Sequence, residues 1–150
     1  MSDTQIKSVA LFFFFAFFDE QKSLDLTARV IRLVRKKAKG AEVPLEVLIV
    51  QAAQKVLVKE AKRTDVAPPP QTLQTLQIPD ETQLGYLHAL RRKIALDEYS
   101  ALVWTHIIGF PEPALAAGLG STVGTIRHRN GAALRTLGQM IPPDGGARGI

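Results

Sequence analysis

The ten residues VALFFFFAFF, positions 9–18, constrain this chain more than any other stretch. They hold six phenylalanines and no polar side chain. A segment apolar on every face has no side to leave in water, so it must be covered all round. Ten residues make about 15 Å of helix, whereas a membrane span needs about 20 residues. No membrane span is therefore expected. A secretory signal fits no better. The preceding MSDTQIKS carries Asp3 as well as Lys7, and the run stops at DEQK without a small-residue cleavage site. The segment reads as a buried helix or strand. If the chain itself does not cover it, a partner must, and Phe12 and Phe15 are the candidate contacts for docking or self-association.

Charge is unevenly spread. The net charge is +5. Residues 29–63 hold ten Lys/Arg against three acids, net +7, while residues 80–150 hold seven against six, net +1. Residues 1–28 carry −2. A basic run is commonly a solvated helix face, and an acidic partner is the alternative. There is no cysteine, which excludes disulfides and Cys-rich zinc sites and suits a reducing cytoplasm. His88, His106 and His128 have no second ligand at metal spacing, so neither a metal nor another cofactor is expected.

Apolar spacing along SLDLTARVIRLVRKKAKG predicts a helix with cations at its C-terminal end and Gly40 to stop it. VPLEVLIVQAAQKVLVKEAKR follows. Its β-branched first half leaves a strand open there, while the Ala-rich centre and Lys/Glu tail favour a helix opened by Pro44. The triple proline at 68–70 excludes helix and favours a stiff linker. This divides the chain into a basic helical domain (1–63), a Pro-rich linker (64–80), a second helical domain (81–141) and a Pro/Gly-rich flexible tail (142–150). In the second domain ETQLGYLHALRRKIAL and DEYSALVWTHIIGF read as helices. Asp97 is a plausible N-cap, Leu102, Val103, Trp104, Ile107 and Ile108 form a core face, and Tyr86 and Tyr99 join the core. The fold class expected is all-α.

The stretch ALAAGLGSTVGTIRHR, residues 114–129, carries the functional signal. Pro111 opens a short helix, Gly118 and Gly120 bracket a turn, and Ser121 or Thr122 can cap a second helix. Val123, Ile126, Ala133 and Leu137 fall on one face of that helix; Thr125, Arg127, His128 and Arg129 fall on or beside the other. Two helices joined by a short Gly turn are the helix-turn-helix pattern, whose second helix enters the DNA major groove. Arg can read guanine, and Thr and His can reach phosphates or bases. Candidate DNA contacts are Thr122, Thr125, Arg127, His128, Arg129 and Arg135. Two core helices joined by a turn are the alternative.

LAAGLGSTVGTIRHRNGAALRTL, residues 115–137, resembles the fourth region of sigma-70-type sigma factors, especially the extracytoplasmic-function group. The likeness rests on Leu115-Ala116, Leu119-Gly120, Thr122, Gly124-Thr125-Ile126, Arg129, Ala133 and Leu137, without a gap. The helices before it resemble the preceding part of that region, so the match covers about residues 84–138. Other helix-turn-helix regulators share similar patterns. The sequence departs from the family at Asn130, on the expected apolar seam, at Gly131, and at Ala132 and Leu134 where arginines are usual. The N-terminal half is only weakly similar, lacking the acidic motif and the aromatics that stack on melted DNA. The resemblance implies a cytoplasmic transcription initiation or regulatory protein that contacts promoter double-stranded DNA, with RNA polymerase as partner. The alternative is a protein-interaction module docking through the Phe-rich segment.

An enzyme is not expected. GLGSTVG lacks the lysine and preceding strand of a phosphate loop, no Ser/His/Asp set has local support, and Asp97-Glu98 suit a helix N-terminus.

Overall fold

The computed structural model of the protein describes residues 1–40, 42–68 and 84–141. Most of the expected linker and all of the expected tail, 142–150, lie outside the described residues. Among the described residues the chain is all-α, with seven α-helices and one π-helical segment.

Helix α1 (Asp3–Phe17) starts from a capping box. The Ser2 hydroxyl accepts from the Gln5 N–H, and the Gln5 side chain accepts from the Ser2 N–H. Both satisfy donors that a helix start leaves open. The phenylalanine run forms the rest of α1, and every residue from Phe12 to Phe18 is buried. Phe12 and Phe15 are each 1 % exposed, so the chain itself covers them. The reading of these two as partner contacts is corrected: in this fold neither is presented at the surface. Phe12 stacks on Trp104 with ring centroids 4.3 Å apart. Phe14, Phe15 and Phe18 pack edge-on or tilted against one another. Each such pair adds about 0.5–1.5 kcal/mol beyond area burial.

Helices α2 (Glu20–Ala38) and α3 (Leu45–Ala61) form an antiparallel hairpin. Asp19 caps α2 through the Lys22 N–H, and Gly40, in the left-handed region at φ 75°, follows its end. Ser23, buried, donates its hydroxyl to the Ala10 carbonyl, which ties α2 closely to α1. At the far end of the hairpin Glu60 joins Lys22 at 2.8 Å and Arg29 at 3.6 Å. Residues 45–50 are helical, not extended. Val47 to Val50 are all buried, and a helix satisfies their backbone groups without a neighbouring strand.

Helix α4 (Leu84–Lys93) buries Leu84, Leu87 and Leu90. Helix α5 (Leu96–Leu102) runs straight into the π-helical segment Val103–Ile108. Its N-cap is Ala95, not Asp97, which instead lies in the first turn. Tyr99 and Trp104 are each 1 % exposed, while Tyr86 is only partly buried. Helices α6 (Glu112–Gly118) and α7 (Val123–Met140) complete the chain.

Helices before residue 69 and after residue 83 contribute to one buried core. The C-terminal end of α1 is where they meet. A helix leaves its last four carbonyls open, and a buried end needs partners for them. Here Phe18 N–H takes Phe14, the Tyr99 hydroxyl takes Phe15, Arg91 Nε takes Ala16 and Ala67 N–H takes Phe17. His88 closes the cluster, with a ring nitrogen 2.8 Å from the Ala67 carbonyl and its ring edge-on to Phe18.

Candidate nucleic-acid interface

Helix α6 ends in a hydrogen-bonded glycine cap. Ser121 N–H donates to the Ala116 carbonyl at 2.8 Å and Gly120 N–H to Ala117 at 3.2 Å. This 6→1 and 5→2 pair is the Schellman arrangement, and it needs a left-handed residue after the helix end. Gly120 supplies it at φ 63°. Thr122 then caps α7, its hydroxyl oxygen accepting from the Thr125 N–H at 3.1 Å. The connection Leu119-Gly120-Ser121 is thus fixed at both ends.

Gly118 has a different reason to be glycine. A Cβ there would lie 2.5 Å from Val50 Cβ and 3.1 Å from the Val47 carbonyl oxygen. Helix α6 therefore lies directly on the first two turns of α3. Helix α7 packs on α4, α5 and α6. Ile126 and Ala133 are buried, and Val123 and Leu137 pack partly buried against the core. Asn130 shares this inner face, 5 % exposed, and its side-chain oxygen has no hydrogen-bond partner.

The outer face of α7 is a stripe of Gly124, His128, Gly131 and Arg135, at i, i+4, i+7 and i+11, flanked by Arg127 and Leu134. Gly124, Arg127, His128, Leu134 and Arg135 are exposed. The glycines keep this side of the helix low. His128 and Arg135 carry no ion pair among the described residues. Arg127 also faces solvent, with its side chain 70 % exposed, and pairs with Glu112 of α6 at 3.2 Å.

The remaining candidates stand elsewhere. Arg129 turns toward α5, where it meets Asp97 at 3.5 Å, and only 27 % of its side chain is exposed. The Thr122 hydroxyl is occupied in the cap, and it also donates to the Thr125 hydroxyl at 3.0 Å. The arrangement thus offers His128, Arg127 and Arg135 to a ligand, with the two threonines shaping the helix start. Glu112 and Asp97, which restrain two of the arginines, had no local signal that linked them to α7. Among the described residues no cluster of His, Asp and Glu could hold a metal ion, and no helix is long and apolar enough to cross a membrane.

No family model, curated protein or solved structure matches the chain.

Proposed function

We propose that the protein is a DNA-binding transcription initiation or regulatory factor of the sigma region 4 kind, acting in the cytoplasm. On this reading α7 enters the major groove of double-stranded DNA, and RNA polymerase, implied by the sequence resemblance, is the protein partner. The observation that carries it is the pair α6 and α7, joined by a capped three-residue turn, with Arg127, His128 and Arg135 on the outer side of the second helix. Glycines at Gly124, exposed, and Gly131, half-buried, suit close approach to a groove wall. Arg127 and His128, near the start of α7, occupy the positions from which a recognition helix meets base edges.

The test is selection of bound sequences from a randomised duplex pool by the full chain and by an Arg127→Ala/His128→Ala variant. Enrichment of a defined motif by the wild type, lost in the variant, supports the reading. The ion pairs Arg127–Glu112 and Arg129–Asp97 favour a second reading, a helical scaffold that engages protein rather than DNA. A wild-type chain that enriches no motif, or a variant that enriches the same one, favours that scaffold.

A further inference from the structure

Residues 80–150, which hold the helix-turn-helix, carry a net charge of only +1, yet phosphate neutralisation supplies most sequence-independent DNA affinity. The basic residues that could supply it are concentrated on α2. Arg32, Arg35 and Lys36 stand at i, i+3 and i+4 on one side of the helix, and Lys39, its C-cap, follows at i+7. All four are exposed, and they line one shallow open cleft of about 470 Å³. None of them has an ion pair among the described residues, in contrast to Lys22 and Arg29 lower on the same helix. Like charges at i, i+4 repel, so Arg32 beside Lys36 and Arg35 beside Lys39 each cost the free helix a few tenths of a kcal/mol. The helix dipole offsets part of this at the C-terminal end. A polyanion would relieve the remainder.

The cleft also lies at the right end of the molecule. Because α2 and α3 are antiparallel, the basic end of α2 adjoins the start of α3. Gly118, the last residue of α6, sits against Val47 and Val50 in that same part of α3. The turn leading into α7 and the cationic stripe therefore share one end of the α2–α3 hairpin.

We propose that the Arg32, Arg35, Lys36 and Lys39 face of α2 is a second DNA contact, binding the phosphate backbone of the duplex that α7 approaches. This rests on the reading of α6 and α7 as a DNA contact. The four residues span about 10 Å of helix, and successive phosphates on one strand of a duplex are about 3.4 Å apart along its axis. The stripe thus matches about three phosphates. A lipid surface fits less well. The apolar side of α2, with Leu26, Val30 and Val34, is buried in the core and cannot insert. The exposed apolar residues next along the chain, Val43 and Leu45, are flanked by Glu42 and Glu46.

The experiment uses the full chain, a random 20-base-pair duplex and a KCl series, with vesicles of phosphatidylserine and phosphatidylcholine as comparison. Three proteins are compared: wild type, the Arg127→Ala/His128→Ala variant, and a variant with Arg32, Arg35, Lys36 and Lys39 all changed to Gln. Glutamine keeps good helix propensity at these exposed sites. The quadruple variant is expected to bind at least tenfold more weakly at low salt and to flatten the log–log salt slope by about 3. The α7 variant should keep most of that slope. Two double variants, Arg32→Gln/Lys39→Gln and Arg35→Gln/Lys36→Gln, should each remove about half of the effect, so the outcome does not hang on one heavily altered protein.

An unchanged slope in the quadruple variant overturns the proposal and leaves the α7 reading standing if the α7 variant loses affinity. A slope lost in the quadruple variant with no effect of the α7 variant upholds the stripe and argues against α7. Wild type that ignores DNA but binds anionic vesicles through the stripe overturns the proposal in favour of a lipid surface. Wild type that binds neither overturns the stripe and α7 together.

Discussion

Tyr99 donates its hydroxyl to the Phe15 carbonyl at 2.7 Å, across 84 residues of sequence. The bond closes one of the four open carbonyls at the buried end of α1, and Arg91 closes the next at 2.9 Å. The phenylalanine helix therefore depends on the C-terminal half for backbone satisfaction as well as for packing. Without these partners the buried carbonyls would each cost about 1–3 kcal/mol.

Tyr99→Phe keeps the ring and removes only the donor. It is expected to destabilise the protein by about 1–3 kcal/mol, because the Phe15 carbonyl loses its partner while remaining buried. Urea unfolding followed by circular dichroism measures this. A change under about 0.3 kcal/mol would show that water replaces the phenol. Burial pushes the Tyr99 hydroxyl well above its ordinary pKa of 10.0. A raised pKa means that the folded state holds the proton more tightly. The stability contributed is therefore complete below about pH 10 and lost as pH rises beyond it. Tyr99→Phe should flatten the alkaline limb of the stability profile.

Glu60 sets the acid limb. Hydrogen bonds from Lys22 at 2.8 Å and Thr64 at 2.7 Å outweigh the cost of burial and lower its carboxyl from 4.5 to about 2. The guanidinium of Arg29 faces the other oxygen at 3.6 Å, an ion pair without a hydrogen bond. A lowered pKa stabilises the fold above the unfolded value. The contribution, at most about 3 kcal/mol, should be present above pH 4.5 and decline as pH falls toward 2. Chemical denaturation at a series of pH values tests this. Glu60→Gln should be less stable at neutral pH and show a shallower decline in acid; a parallel decline in both proteins would remove Glu60 as the cause.

Two glycines should respond in opposite directions to alanine. At Gly131 a Cβ would make only an ordinary 3.5 Å contact with the Arg135 guanidinium. Gly131→Ala should stabilise by about 0.5–1 kcal/mol through helix propensity and reduced chain entropy. At Gly118 the same atom would strike Val50, so Gly118→Ala must push α6 off α3 and should cost about 1–3 kcal/mol. Thermal melts of the two variants give the signs directly. Equal shifts would mean that α6 does not lie on α3 as described.

How legible these features were in the sequence follows from the range of the forces involved. Helix ends rest on residues a few positions apart, so Gly40, Gly120 and the Thr122 cap could be read locally. The inner face of α7 could be read too, from the 3.6-residue period of Val123, Ile126, Ala133 and Leu137, while the anomaly at Asn130 showed only as a departure from the family pattern that the sequence resembles. What covers the phenylalanines could not. Trp104 on Phe12, and Tyr99 and Arg91 on the carbonyls of α1, are long-range contacts with no periodic trace. The start of α5 slipped because Asp97 looks like a cap; in the fold its carboxylate accepts from Glu98 N–H at 2.8 Å inside the first turn and also faces Arg129. The Arg129–Asp97 pair was not legible for the same reason: spacing puts Arg129 beside the outer face, and a distant acid draws it toward α5.

The pair Arg127–Glu112 gives the sharpest test of the proposed DNA-contacting face of α7. Its nitrogen and oxygen lie 3.2 Å apart on the surface, where such pairs are worth about 0.2–1 kcal/mol. Duplex DNA must compete with Glu112 for the Arg127 guanidinium and must also approach the carboxylate itself. Glu112→Gln removes one negative charge and frees the arginine while leaving α6 its length and packing. DNA affinity should rise about two- to fivefold at low salt, with the gain shrinking as salt screens it. Stability should change by less than about 1 kcal/mol, since the pair is exposed. Fluorescence anisotropy with a labelled duplex measures the affinity. Combining Glu112→Gln with Arg127→Ala makes the cause explicit: the gain from freeing Arg127 must disappear in the double variant, leaving only the smaller effect of one fewer negative charge. A full gain that persists without Arg127 would mean that Glu112 repels DNA from a surface other than the outer face of α7.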